Sequence, residues 1–126
     1  VSHAVPPEHA LAGLLHDAAE AFIGDVSKPL KEILPDYKVI EERIEAAVFA
    51  RFGLPAELPP CVKHADRVLL RTEQRDLMGA DGHAWSWTDG IQPLQDRIVA
   101  LPPGIAMHSF LIRYATLQTS VSHAAG

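Results

Sequence analysis

Four ionisable side chains lie within ten residues at the end of an otherwise apolar segment, and they are His16, Asp17, Glu20 and Asp25. In a helix, Glu20 follows His16 by four residues and Asp17 by three, so these three side chains share one face. A neutral imidazole and a carboxylate are ligands that first-row divalent ions accept. The segment is therefore predicted to bind a metal ion, and the alternative interpretation is a solvated helix end.

A further carboxylate, Asp66, is expected on the apolar face of another helix. It follows Val62 by four residues and precedes Leu69 by three. An ionised carboxylate on an apolar face is costly unless it is paired or binds a metal. On the same helix, Arg67 is adjacent and points elsewhere, and Arg71 lies five residues on. A metal ion explains the position of Asp66 better than a salt bridge does.

The spacing of apolar residues predicts an all-α fold, a single domain of residues 1–126 with about five to six helices. Predicted helices run from Pro6-Pro7 through Phe22, from Ser27 to Leu34, from an Asp36 cap to a Gly53 stop, over 61–78 and over 105–118. Residues 79–104, rich in Gly, Pro, Asp and Trp, are predicted to be irregular. The residues predicted to face the core are Leu11, Leu14, Leu15, Ala18, Phe22, Ile40, Ile44, Ala47, Val48, Phe52, Val62, Ala65, Leu69, Leu77, Phe110, Leu111, Tyr114 and Leu117.

Composition and charge narrow the function classes. The chain has 126 residues, of which 48% are hydrophobic and 21% charged, as in ordinary globular domains. It shows no signal peptide and no apolar run approaching the roughly 20 residues that cross a bilayer, so a cytoplasmic protein without a membrane partner is expected. The net charge is −5 and the Lys and Arg residues are scattered. Polymeric nucleic acid is therefore an unfavourable ligand, whereas a bound cation can still hold a small anion.

His16-Asp17, followed fifty residues later by Asp66, resembles the metal site of the HD superfamily. The string over 16–31, with Gly24-Asp25, Pro29 and Lys31, resembles the bacterial 5′-deoxynucleotidase branch and related deoxynucleotide triphosphohydrolases of bacteria and phages. The stretch over 65–78 is similar to the same small phosphohydrolases, and the resemblance is firmest over 6–78. It implies a compact HD-domain helical bundle.

The resemblance also implies a metal-dependent phosphohydrolase with a small-molecule nucleotide substrate. The reaction would release phosphate from a deoxynucleoside monophosphate, or triphosphate from a deoxynucleoside triphosphate. His16, Asp17 and Asp66 would be ligands of one divalent ion, with Mn, Co, Fe, Ni, Zn and Mg as the open identities.

The resemblance implies roles for three further side chains. Glu20 and Asp25 match the two acidic positions that orient or activate the attacking water and assist the leaving oxygen. Lys31 would offset phosphate charge, and a surface lysine on a short helix is an equal alternative.

One position of the family pattern is missing. The first ligand of the family is a His on the helix before the loop that Pro6-Pro7 begins, and His3 stands too close to that loop. We expect this ligand to lie N-terminal to Val1, so that the chain starts partway through its domain. The alternatives are a non-catalytic HD-like metal-binding or scaffold domain, and a subunit of a homo-oligomer whose neighbour supplies the missing helix.

Overall fold

The computed structural model describes residues 1–78 and 88–124, with side chains up to residue 119. Within these ranges the chain is α-helical and contains no β-strand, which confirms the all-α class. The chain divides into two compact units, one of Val1–Leu14 with Pro59–Gly126 and the other of Leu15–Leu58. These units are defined by contacts within the chain and need not be separate domains. The expectation of one domain over residues 1–126 therefore stays a prediction. No helix of the described residues is long and apolar enough to span a membrane.

The described residues form one 3-10 turn and six α-helices. In chain order they are the turn Pro7–His9, α1 Ala10–Leu15, α2 Glu20–Ile23, α3 Lys28–Glu32, α4 Pro35–Arg51, α5 Pro60–Leu77 and α6 Pro103–Ala124. Residues 79–87 of the region predicted to be irregular lie outside the described residues, and residues 88–102 contain no α-helix.

The helix predicted to continue to Phe22 is interrupted. After α1 ends, the amide of Ala18 donates to Leu15 O at 3.0 Å and that of Glu20 to Asp17 O at 3.0 Å. These three-residue hydrogen bonds wind the backbone more tightly than an α-helix does and rotate the following side chains out of the stripe. Phe22 is consequently 72% exposed, so its predicted place in the core is wrong.

Helix α4 starts two residues earlier than an Asp36 cap predicts. Pro35 occupies the first turn, where its missing amide hydrogen costs no hydrogen bond. The capping position therefore falls on Leu34, and Asp36 lies inside the first turn, where its charge favours the helix dipole. The prediction of Asp36 as the cap is wrong by this shift.

The C-terminal end of α4 follows the prediction. Gly53 has a φ of +67°, a left-handed conformation in which glycine pays no Cβ penalty. The amide of Leu54 donates to Phe49 O at 2.9 Å, which closes the last turn. Val48 and Phe49 are the buried residues of this helix, whereas Ile40 is 49% exposed. The predicted apolar stripe is thus confirmed at Val48 and wrong at Ile40.

Helices α5 and α6 agree with their predicted core residues in part. On α5, Val62 and Ala65 are buried, and Leu77 is exposed. On α6, which begins two residues earlier than predicted, Tyr114 is half-buried and Phe110 is exposed.

A polar network fastens residues 94–98 onto α5. The hydroxyl of Thr72 accepts a hydrogen bond from the Leu94 amide at 3.0 Å, and the carboxylate of Asp76 accepts one from the Ile98 amide at 2.9 Å. Arg75 donates to Leu94 O at 2.6 Å and to the Asp76 carboxylate at 2.7 Å. These side chains satisfy backbone groups of a segment that has no helix of its own.

The start of the chain is held by a second set of hydrogen bonds. Ser2 Oγ donates to Ala10 O at 2.8 Å, and Arg113 of α6 donates to Ser2 Oγ and Ser2 O at 3.1 Å each. A Cβ on Gly13 would lie 3.2 Å from Ser2 Cα and 3.2 Å from Val5 Cγ2. Gly13 therefore permits the close approach of this backbone to α1.

We expect Gly13→Ala to lower the free energy of unfolding by about 1 kcal/mol. Alanine gains ~1 kcal/mol of helix propensity, but overpacking against the fixed Ser2 backbone costs ~1–3 kcal/mol. Gly104→Ala is the matched control, because Gly104 lies in α6 and a Cβ there meets nothing within 4 Å. Urea denaturation should show opposite signs for the two variants, and equal stabilisation by both would contradict the close approach.

The Asp76 network predicts acid sensitivity. The hydrogen bonds from Arg75 and from the Ile98 amide lower the pKa of Asp76 from 3.8 to about 2. A depressed carboxyl pKa stabilises the fold above the unfolded value and ceases to do so as the pH falls from 3.8 towards 2. The stability difference between the parent and Asp76→Asn should therefore be large near neutral pH and shrink across this interval. Urea denaturation over a pH series measures it, with exposed Asp89→Asn as a control that should show no such convergence.

Candidate functional site

The unit Leu15–Leu58 contains five of the six residues predicted from the sequence. His16 and Asp17 lie in the turn after α1, and Glu20 begins α2. Asp25 follows α2 by two residues, and Lys31 lies on α3. The sixth predicted residue, Asp66, lies on α5 in the other unit.

His16 and Asp17 are neighbours in space as well as in sequence. His16 Nε2 lies 3.0 Å from Asp17 Oδ2, with the imidazole largely buried and the carboxylate mostly exposed. The hydrogen bond from His16 lowers the pKa of Asp17, and the positive charge of Lys31 acts in the same direction, so that the opposing effect of burial is outweighed. Asp17 therefore remains ionised and can act as an oxygen donor.

Glu20 has the opposite electrostatic environment. Its side chain is partly buried, and burial raises the pKa of its carboxyl group. The negative charges of Asp17, Asp25 and Glu41 raise this pKa further, and Lys31 opposes them with a smaller effect. Glu20 thus takes up a proton more readily than an ordinary glutamate, as a group that transfers protons must.

Lys31 lies between two carboxylates. Its Nζ is 2.6 Å from Glu41 Oε1 and 3.9 Å from Glu20 Oε1, and it lies 5.8 Å from the centre of the Tyr37 ring. Burial lowers the pKa of Lys31, but the hydrogen bond and charge of Glu41 outweigh it and raise the pKa overall. The ammonium is therefore charged and held mainly by Glu41.

Glu41 is the residue that the sequence did not single out. Its segment was expected to be solvated, because charged residues crowd positions 41–45. The ion pair with Lys31 spans ten residues and joins α3 to α4. Helical spacing rules pair residues only three or four apart, so they give no signal for this contact.

Tyr37 holds the backbone immediately before Asp25. The Tyr37 hydroxyl donates to Gly24 O at 2.8 Å, and Gly24 has a φ of +76°. This conformation is open to glycine without strain and turns the chain sharply after α2. The carboxylate of Asp25 is exposed beyond this turn.

Asp66 occupies a half-buried position on α5. It directly follows the buried residue Ala65, and Val62 on the preceding turn is fully buried. Its negative charge adds to the effect of burial in raising the pKa of Glu73. Asp66 was expected on the buried face of its helix and is half-buried beside Val62 and Ala65. Its role as a ligand stays a prediction.

Removing the Tyr37 hydroxyl should loosen the turn before Asp25. We expect Tyr37→Phe to leave global stability within about 1 kcal/mol, since a single exposed hydrogen bond is worth roughly 0.5–1.5 kcal/mol. Hydrogen exchange of residues 24–27 should nevertheless become faster, while exchange in α5 stays as in the parent protein. Unchanged exchange at 24–27 would show that Tyr37 does not fix this segment.

Comparison with known proteins returns two relatives of undescribed activity. The uncharacterized protein YfdR of Escherichia coli K12 is 42% identical over 118 residues, which cover 93% of this chain and 66% of YfdR. An uncharacterized protein of Rhodobacter capsulatus is 36% identical over 121 residues, which cover 89% of this chain and 62% of that protein. The chain thus spans just under two thirds of the curated relatives it matches. No family model and no solved structure matches it.

Proposed function

We propose that this chain is a metal-dependent phosphohydrolase of the HD type that acts on deoxynucleotide phosphates. The observation that carries the proposal is the environment of Glu20. Its carboxyl group is partly buried, and both burial and the neighbouring carboxylates raise its pKa. The ammonium of Lys31 lies 3.9 Å from it. A proton-accepting group beside a fixed cation is the combination that hydrolysis of a phosphate requires.

The donor set fits a divalent ion. His16, Asp17 and Asp66 each offer one ligand atom, an imidazole nitrogen or a carboxylate oxygen. Such mixed nitrogen and oxygen ligands suit Mn, Fe, Co, Ni or Zn. The lowered pKa of Asp17 keeps its carboxylate available without competition from protons. The bound ion would supply Lewis acidity at the phosphate and at the attacking water.

The remaining side chains handle protons and charge. Glu20 accepts a proton from the attacking water. The water oxygen bonds to phosphorus, and the bond from phosphorus to the leaving oxygen breaks. The exposed Asp25 assists the leaving oxygen as this oxygen takes up a proton from solvent. Lys31 offsets part of the phosphate charge. The same set of residues serves a monophosphate ester, which releases phosphate, and the α-phosphorus of a triphosphate, which releases triphosphate.

Two substitutions should separate metal binding from catalysis. In the purified protein, Asp66→Asn should lower the bound divalent metal measured by elemental analysis, whereas Glu20→Gln should keep it. Glu20→Gln should lower kcat at least about a hundredfold, because a positioned acid or base contributes roughly 10²–10⁴-fold. Turnover is measured on a panel of deoxynucleoside mono- and triphosphates, with chromatography distinguishing the released phosphate from triphosphate.

Matched controls come from exposed residues on the same helices. His64→Ala on α5 should keep the metal, and Glu42→Gln on α4 should keep both metal and turnover. A metal-loaded parent protein that hydrolyses no member of the panel would favour the non-catalytic scaffold. Metal binding that survives both His16→Ala and Asp66→Asn would rule out the predicted ligands.

A further inference from the structure

The ammonium of Lys31 lies near two carboxylates. Glu41 Oε1 lies 2.6 Å away and Glu20 Oε1 3.9 Å away. We propose that Glu41 is a positioning residue, which holds the Lys31 ammonium and so keeps it from closing on Glu20 to hydrogen-bond distance. This inference rests on the proposed function, in which Glu20 must remain free to accept a proton.

The three side chains are not equally fixed. Glu20 and Lys31 belong to helices of four and five residues, and these fully described helices contain no buried residue. Glu41 belongs to the 17-residue helix α4, which is packed through Val48 and Phe49. Glu41 is therefore the stationary partner, and its carboxylate determines where the ammonium lies.

Removing the Glu41 charge should transfer the ammonium to Glu20. A lysine side chain has a flexible four-carbon stem with three donors, so it readily takes another acceptor. The separation of 3.9 Å needs to shorten by only about 1 Å to become a charge-assisted hydrogen bond. Paired in this way, Glu20 would be a weaker proton acceptor, and the ammonium would be withdrawn from the incoming phosphate.

A purely structural role for the pair would leave little trace. The side chains of Lys31 and Glu41 are 26% and 21% exposed, and partly solvated ion pairs contribute little to stability. Glu42, the next residue on α4, is exposed and provides a control of the same charge. Any effect on the reaction must then come from where the ammonium lies.

The test is a double-substitution cycle in the metal-loaded protein. We expect Glu41→Gln to lower kcat about tenfold, a part of the roughly 10²–10⁴-fold contribution of a positioned acid or base. Adding Lys31→Met to Glu41→Gln should restore kcat to the value of Lys31→Met alone, because no ammonium is left to neutralise Glu20. Glu42→Gln should change kcat by less than about twofold.

A crystal structure of Glu41→Gln gives a readout that needs no activity. Lys31 Nζ should lie at about 3 Å from a Glu20 carboxylate oxygen. An ammonium that stays beside residue 41, or a kcat for the double variant below that of Lys31→Met alone, would overturn the positioning role. Turnover in the parent would still leave the proposed function intact. A parent protein without turnover on any nucleotide would instead remove the proposed function, and the positioning role with it.

Discussion

The ion pair between Lys31 and Glu41 is the contact on which the position of the Lys31 ammonium beside Glu20 depends. Nucleating a helix is unfavourable, and isolated helices of four or five residues do not persist in water. Although α2 and α3 contain no buried residue, both helices contact α4. The fixed partner is α4, reached through this pair and through the hydrogen bond of Tyr37 to Gly24 O. Glu41 therefore sets the position of the Lys31 ammonium beside Glu20 and adds little to the stability of these helices.

The same region concentrates negative charge around one ammonium. Asp17, Asp25 and Glu41 each raise the pKa of Glu20, which means that each would repel its ionised form. A phosphate approaching these carboxylates would meet the same repulsion, and the single charge of Lys31 is too small to cancel it. A divalent ion bound by imidazole and carboxylate ligands would reverse the sign of the local field. This is the physical reason for which the proposed reaction needs a metal.

The sequence predicted the fold class and several boundaries but fewer of the buried positions. Gly53 ends α4 and Val62 faces the core, since a glycine stop and an apolar period act locally. Phe22 and Ile40 fit the same period and are nevertheless exposed. A period assumes a continuous helix with a partner along its whole length. The three-residue hydrogen bonds at Ala18 and Glu20 interrupt the helix, so it is not continuous. The spacing of apolar residues does not indicate this interruption.

The residues of the candidate site also differ in whether local sequence could single them out. His16, Asp17 and Glu20 were singled out by their short spacing within one segment, and Asp66 by its place on an apolar helix face. The role of Lys31 came with the family resemblance. Glu41 pairs across ten residues and Asp76 bonds to an amide 22 residues away, so their roles depend on how separate elements meet.

The two contacts that the sequence did not predict also differ in what they do. The Asp76 side chain is 3% exposed and accepts a hydrogen bond from a backbone amide. Its loss would leave a part-buried donor without this partner, which is a cost to stability. Glu41 remains partly solvated, so water can replace much of what it gives to the fold. Glu41 instead determines where the Lys31 ammonium lies, because the flexible lysine side chain does not fix that position by itself. A contact can thus add little to stability and still decide which of two carboxylates accepts the hydrogen bond of the ammonium.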